Sequence, residues 1–471
     1  MTTHSRTVRH NLTMLRLWAV ALLLASLAGA QDVARMRQVT DYYFNDYQFM
    51  GSVLVARDRT ILFNKSVGSA NLEWMIPNSP GTRFRIGSIS KQFTAAAILL
   101  LEERGKLSIS DLVSKHLPSA PPAWSDITLM HLLSHTSGIP DIETLPDYPS
   151  WEPFPSPVEK TVARFYPLPL QFQPGERYRY SSSGYIVLGY IIERLSGKSY
   201  EQFLKENIFD PLGMKNSGYD SNSAVLARRA SGYGTYCPPA GCSTTIAESG
   251  DDPVVIRNPE NAHFIHMSIP HAAGSLYSTT EDLLTWEQAL FGGKLLSKQS
   301  LTKMITPGKG NYGLGLNIQK RGGRLVIGHS GGIEGFSAYL AYYPEDKTVI
   351  AVTANLGNAG TLYRQLSRLA YGEAVVLPNE RKAVAMPARW QDFAGVYARP
   401  DDARGKYSIV NDGDRLMVVL PNKTRLRLLA ASENRLFLEH RDVEFEFVRT
   451  EGRVTGLVVR TEGAEVSYTR E

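Results

Sequence analysis

Apolar residues recur at helical spacing over residues 32–47, where Val33, Met36, Val39, Tyr43 and Phe44 share one face. The period then shortens to that of strands. Residues 51–57 and 60–67 read as strands around a tight Asp58-Arg59 turn. From Ser88 onward the pattern is helical again: Ala95, Ala96 and Ala97 precede the run Ile98 to Leu101, and Gly105 supplies a stop. Residues 107–140 predict two short helices, the second over 129–135 behind a Thr128 cap. The stretch 141–180 is rich in Pro and aromatics and lacks a period, so it reads as a long ordered loop over a site.

Helices are expected at about 184–197 and 199–209, an irregular segment at 218–272, and a helix over 281–290 capped by Thr279 or Thr280. β texture takes over at Tyr312, with strands expected over 312–319, 324–330, 336–343 and 348–355 and a helix over 359–371. Strands at both ends with helices between them predict an α+β fold: one antiparallel sheet flanked by helices, with an inserted helical subdomain. Pro378, Pro387, Arg381 and Lys382 mark residues 374–389 as a linker. Eight short alternating stretches follow within 390–471, with no helical signal, and predict a small all-β barrel-like domain. The division is therefore 1–30, 31–373, 374–389 and 390–471.

Residues 1–30 read as a signal peptide: Arg6, Arg9 and Arg16, an apolar run over 17–27, and the small-x-small site Ala28-Gly29-Ala30. The expectation is an exported protein, periplasmic or extracellular, with no stable membrane span after cleavage; an uncleaved anchor is the alternative. Without those three arginines, 51 basic and 46 acidic residues become 48 and 46, so charge gives no reason to expect nucleic acid as a partner. Export would allow a disulfide between Cys237 and Cys242, with two unpaired thiols as the alternative.

The first candidate chemistry is Ser88-Ile89-Ser90-Lys91. Ser88 and Lys91, three apart, meet on one helix face, and a neutral buried amine can take the proton of a Ser hydroxyl. A helix start also offers backbone N–H groups to an oxyanion. A capping Ser followed by a solvated Lys explains so short a pattern equally well. The weight therefore lies in what accompanies it. Tyr180 stands before a helix beside Ser181 and Ser182, and a phenol near a cationic Lys can act as a base or shuttle a proton. In Gly328-His-Ser-Gly-Gly332, the Gly332 N–H can pair with that of Ser88, and His329 can orient a substrate carboxylate or assist proton transfer. Ser330 also fits a Gly-x-Ser-x-Gly elbow, but a β-like run follows it where a helix is required. His131 and His135 have metal-compatible spacing without acidic neighbours, and His263, His266 and His271 lie in an irregular segment. Neither group predicts a metal, and no cofactor is expected.

Ser-x-x-Lys, Tyr180-Ser-Ser182 and His329-Ser-Gly331, in this order and spacing, resemble the penicillin-recognising serine hydrolases. These include class C β-lactamases, low-molecular-weight penicillin-binding proteins, D-aminopeptidases and related esterases. The flanking phrases 132–140, 211–214, 277–283 and 312–315 match as well, and the resemblance covers about residues 35–372. It implies Ser88 as the acylated nucleophile, Lys91 as its base partner and Tyr180 as a second proton-transfer group. Ser88 and Gly332 become the oxyanion donors, with His329, Ser182, Ser330 and Gly331 in the substrate-binding set. Which of Lys91 and Tyr180 takes the proton stays open. Two departures matter: Ser182 stands where the family often has Asn, and His329 stands where β-lactamases have Lys. Both favour a peptidase or esterase acting on a small molecule or peptide over an efficient β-lactamase. A non-catalytic binding protein on the same scaffold is the alternative.

Overall fold

The computed structural model describes residues 32–45, 49–235, 245–247, 254–256, 259–399, 402–419, 425–438, 443–461 and 464–471. The expected signal peptide and the Cys237–Cys242 pair lie outside the described residues.

Helix α1 spans 32–45, and a hairpin follows it: β1 (Met50–Arg57) and β2 (Thr60–Val67). Helix α2 is Ser90–Glu103, α3 is Ser182–Ser196 and α4 is Thr280–Phe291. The chain then returns to the sheet through β3 (Asn317–Arg321), β4 (Arg324–Ile333), β5 (Phe336–Tyr343) and β6 (Thr348–Leu356), and α5 (Ala359–Ala370) closes the unit. The six strands pair antiparallel in the order β3-β4-β5-β6-β1-β2, so the first hairpin is completed by the last strand.

Alternation decides which face each side chain serves. Val53 and Val55 of β1 pack with Met36 and Val39 of α1 and Leu362 and Leu366 of α5. Leu54 and Ala56 face the other layer, with Phe93, Leu99 and Trp286 from α2 and α4. Every residue of α2 from Ser90 to Leu101 is buried, as expected of a helix with apolar residues on all sides. Trp286 stacks on Phe93 at 4.0 Å and donates its indole N–H to Gln92 at 2.7 Å, which satisfies the polar end of a buried ring.

Three segments depart from the pattern reading. Residues 141–180 hold short helical turns, Ile142–Thr144, Tyr148–Trp151 and Val158–Ala163, each too brief to leave a period in the sequence. Within 218–272, Gly218–Tyr219 joins Leu276–Ser278 and Phe84–Arg85 in a three-stranded sheet that leads into Ser88. The expected strand from Tyr312 begins only at Asn317, because the Gly313 N–H turns back to the Leu316 carbonyl at 2.8 Å.

Eight strands between Gly395 and Arg470 form a closed antiparallel barrel around Phe393, Tyr397, Leu416, Phe445 and Leu457. The barrel closes where the first of them, Gly395–Arg399, meets the last, Ala464–Arg470. Between sheet and barrel, Val384 donates to the Ala430 carbonyl at 2.8 Å, and Glu380 pairs with Arg35 of α1. Among the described residues no helix is long and apolar enough to cross a membrane.

Candidate active site

Ser88 lies in a single 3-10 turn, Gly87–Ile89, and α2 begins two residues later at Ser90. The tighter turn follows from crowding. Gly87 has φ of 49°, and a Cβ there would come 2.6 Å from the Gly332 carbonyl oxygen and 2.8 Å from its nitrogen. A Cβ on Gly331 would come 1.9 Å from the Ile86 carbonyl oxygen and 3.3 Å from the Ser88 nitrogen. β4 and the Ser88 turn therefore touch backbone to backbone, and glycines at 87 and 331 permit it. At Gly332 a Cβ would meet no protein atom within 4 Å. Its peptide group contributes by lying against the turn.

Lys91 is fully buried. Its Nζ donates to Ser88 Oγ at 3.0 Å and to the Ala273 carbonyl at 2.8 Å. Burial pulls the amine down to about 8, against the opposing pull of the Glu143 and Asp141 carboxylates. The ring of Tyr180 faces it, with Nζ 4.9 Å from the ring centroid. Burial, against the opposing influence of Ser88, holds the Tyr180 phenol well above its ordinary value. A phenolate at residue 180 was one expectation from the sequence. The structure corrects it: burial and the nearby carboxylates both favour the neutral phenol.

His329 is buried, and both of its ring nitrogens are taken. Nδ1–H donates to the Ser330 carbonyl at 2.5 Å, and the Tyr312 hydroxyl donates to Nε2 at 2.9 Å. Burial, then the nearby Lys91, lower the imidazole to about 4. The expectation of a substrate-facing histidine is corrected on this point: the ring is neutral and braces Tyr312. Ser330 is exposed within the continuous strand β4, with no strand-to-helix turn of the kind an elbow nucleophile needs. Gly331 is buried against Ile86, and its part is spacing.

His135, with φ of 56°, accepts the Ser181 N–H at Nδ1 and lies 4.3 Å from the Tyr180 ring, which makes it a brace for that phenol. His131 sits in the cap of its helix with Thr128, apart from that role. His263 pairs with Glu152, His266 with Ser268 and His271 with Glu193.

Ser182 does not hydrogen-bond Lys91. Its Oγ donates to Glu143 Oε1 at 2.9 Å, and its N–H donates to Asp141 Oδ1 at 3.2 Å. Glu143 was not picked out from the sequence, nor was Glu334. Both line a cavity of about 250 Å³ together with Ser88, Tyr148, Ala273 and Gly332. Burial and Glu143 lift Asp141 to about 6, and burial with Glu152 and Glu143 lifts Glu334.

The arrangement brings a buried amine and a buried phenol to the Ser88 hydroxyl, which lines the cavity beside Gly332. That set suits acyl transfer. Known proteins resemble the chain along the same frame. Penicillin-binding protein 4* of Bacillus subtilis (strain 168) is 29% identical over 446 residues, spanning 90% of this chain and 95% of its own. The octameric penicillin-binding protein homologue from Pyrococcus abyssi superposes with a TM-score of 0.63 at 26% identity, over 93% of this chain and all of that one. The penicillin binding protein from Bacillus halodurans gives 0.59 at 28% identity, over 70% of this chain and 97% of that one. The Beta-lactamase family model matches residues 37–371, most of the chain, and on that match the chain belongs to the Beta-lactamase family.

Proposed function

We propose that the chain is an exported serine hydrolase that opens amide or ester bonds through an acyl intermediate on Ser88. The observation that carries the reading is the buried Lys91 amine, 3.0 Å from Ser88 Oγ and drawn down to about 8. In its neutral form the amine takes the Ser88 proton while Oγ bonds to the substrate carbonyl carbon. The carbonyl oxygen becomes an oxyanion facing the amides of Ser88 and Gly332. As the C–N or C–O bond breaks, the Tyr180 hydroxyl gives its proton to the leaving group and recovers one from Lys91. Water then attacks the acyl-Ser88 ester by the reverse proton path and releases the acid.

Peptidase or esterase activity is favoured over efficient β-lactam hydrolysis, because His329 offers no fixed charge to a substrate carboxylate. Export rests on the basic, apolar and small-residue order of residues 1–30.

Fluorophosphonate labelling of the wild type, Ser88→Ala and Ser330→Ala tests the nucleophile. Label lost only in Ser88→Ala is expected, and label retained there overturns the reading. Turnover of p-nitrophenyl butyrate and amino-acid amides, set against nitrocefin, tests the class. Nitrocefin cleared at β-lactamase rates overturns the peptidase or esterase reading. A lasting acyl adduct with no turnover of any substrate would instead favour a binding protein.

A further inference from the structure

Behind Lys91 lies a buried assembly that the proton path does not use. The Ala273 carbonyl that accepts from Lys91 Nζ belongs to a four-residue helical turn, His271–Gly274. The carbonyl just before it, that of Ala272, accepts from Thr94 Oγ1 at 2.7 Å. Thr94 stands three residues after Lys91 on α2, so both side chains leave one face of that helix. Two successive carbonyls of the turn are therefore held by one helix face. The other carbonyl within reach of Thr94, that of Ser90, is farther at 3.2 Å. With its single hydrogen given to Ala272, the Thr94 hydroxyl accepts from the Tyr200 O–H at 2.7 Å.

His271 opens the turn with φ of 39°, a left-handed value that is unfavourable for a bulky side chain. Its ring is buried, 5.1 Å from the Tyr200 ring, and Nε2–H donates to Glu193 Oε1 at 3.4 Å. The same carboxylate oxygen accepts the Tyr200 N–H at 2.9 Å. On the other side, a Cβ on Gly189 of α3 would come 2.6 Å from His271 Nδ1 and 2.4 Å from the Ala272 Cβ, so helix and turn meet with no side chain between them. The cavity wall includes Ala273 and Gly274 of this turn but neither Thr94 nor His271. Those two residues act on the site only through the turn. Strain kept at a non-glycine residue, two positions before the carbonyl that holds the catalytic amine, points to a geometric role.

A neutral amine has two N–H groups and one lone pair. With one N–H fixed on the Ala273 carbonyl, the lone pair is turned toward the Ser88 hydrogen. Without a fixed acceptor the amine rotates about its last bond, and that orientation is lost. We propose that Thr94 and His271 are positioning residues for the proton transfer: they fix the His271–Gly274 turn so that the Ala273 carbonyl aims the Lys91 lone pair at Ser88. This rests on the acyl-Ser88 reading and deepens it.

The test follows the time course of labelling of the whole protein by an uncharged fluorophosphonate. In that reaction Ser88 Oγ bonds to phosphorus, fluoride leaves and the Ser88 proton passes to Lys91. Misfolding lowers the final labelled fraction, whereas a misdirected amine lowers the rate constant. Thr94→Val keeps the shape of the side chain and removes the hydroxyl. It should label fully but about ten- to a hundredfold more slowly, with KI for the probe unchanged. Thr94→Ser, which keeps the donor, should restore the rate. His271→Gly adopts the same φ without strain and should show the same fall as Thr94→Val. Full labelling at the wild-type rate in either Thr94→Val or His271→Gly overturns the inference, and so does a reduced fraction at the wild-type rate. If Thr94→Val does not fold, His271→Gly decides by the same criterion; if neither folds, the role is structural and the inference falls. Wild-type protein that neither labels at Ser88 nor turns over p-nitrophenyl butyrate would instead overturn the acyl-serine reading beneath it.

Discussion

The Lys91 amine stands 3.0 Å from the Ser88 hydroxyl, with its other described hydrogen bond going to the Ala273 carbonyl. Because burial draws that amine down to about 8, it is charged at acid pH and increasingly neutral above neutrality. Only the neutral form has a lone pair for the Ser88 proton. At pH 7 about one molecule in ten carries it. Acylation by a neutral ester should therefore rise about tenfold per pH unit up to about 8 and then level off. Lys91→Arg, which cannot deprotonate, should lose roughly 10²–10⁴ in kcat/KM. A profile that is flat from pH 6 to 9 would remove Lys91 from this role.

The imidazole of His329 titrates at about 4 when folded and near 6.5 when free. The unfolded chain therefore binds more protons between these values, so stability falls as pH drops from about 6.5 toward 4. His135, held well below its ordinary value by burial, acts in the same direction. The thermal midpoint should decline over that window. An NMR titration of His329 should show no protonation above pH 5, and a midpoint near 6.5 would contradict the buried neutral ring.

Tyr312→Phe removes the donor to His329 Nε2 and leaves a buried acceptor unpaired. The expected cost is about 1–3 kcal/mol in urea unfolding. A loss indistinguishable from zero would mean that water or another group reaches the nitrogen.

Gly331→Ala and Gly332→Ala should separate two neighbouring positions. The first puts a Cβ 1.9 Å from the Ile86 carbonyl oxygen, a backbone atom that cannot swing aside, so β4 and the Ser88 turn must part. It should cost about 1–3 kcal/mol or more and abolish fluorophosphonate labelling. The second meets no atom within 4 Å and should fold normally. Equal thermal midpoints for the two variants would show that this contact is looser than described.

Asp220 is fully buried between Arg85 at 2.6 Å and Arg229 at 2.8 Å. Arg85 belongs to the short strand that leads into Ser88. Asp220→Asn leaves two arginines facing a neutral group and should destabilise by about 3–5 kcal/mol, measured by chemical denaturation. Loss of Ser88 labelling should accompany it, because the strand and the turn share one backbone path.

Local chemistry made much of the frame legible before any coordinates. The alanine and leucine run of α2 encodes a helix buried on all sides, and the continuous apolar run Val53 to Ala56 of β1 suits a strand buried on both faces. The three-residue spacing of Ser88 and Lys91 survives the change from α-helix to a 3-10 start, because either turn keeps them on one side. Glu143 and Glu334 were not legible. Nothing within a few residues of either distinguishes it from a solvated acid, and 191 positions separate them.

By itself, the sequence determined the helices and strands of the α+β frame, the eight alternating strands behind it and the pairing of a serine with a lysine, since each of these depends on residues close together in the chain. Tertiary structure alone decided the charge states and the character of the cavity. Lys91, Tyr180 and His329 owe their protonation to how much water is excluded around them, and burial is fixed only when distant segments close over one another. The two carboxylates face one opening for the same reason: a loop before α3 and the end of β4 converge there through packing, and no local pattern records that meeting.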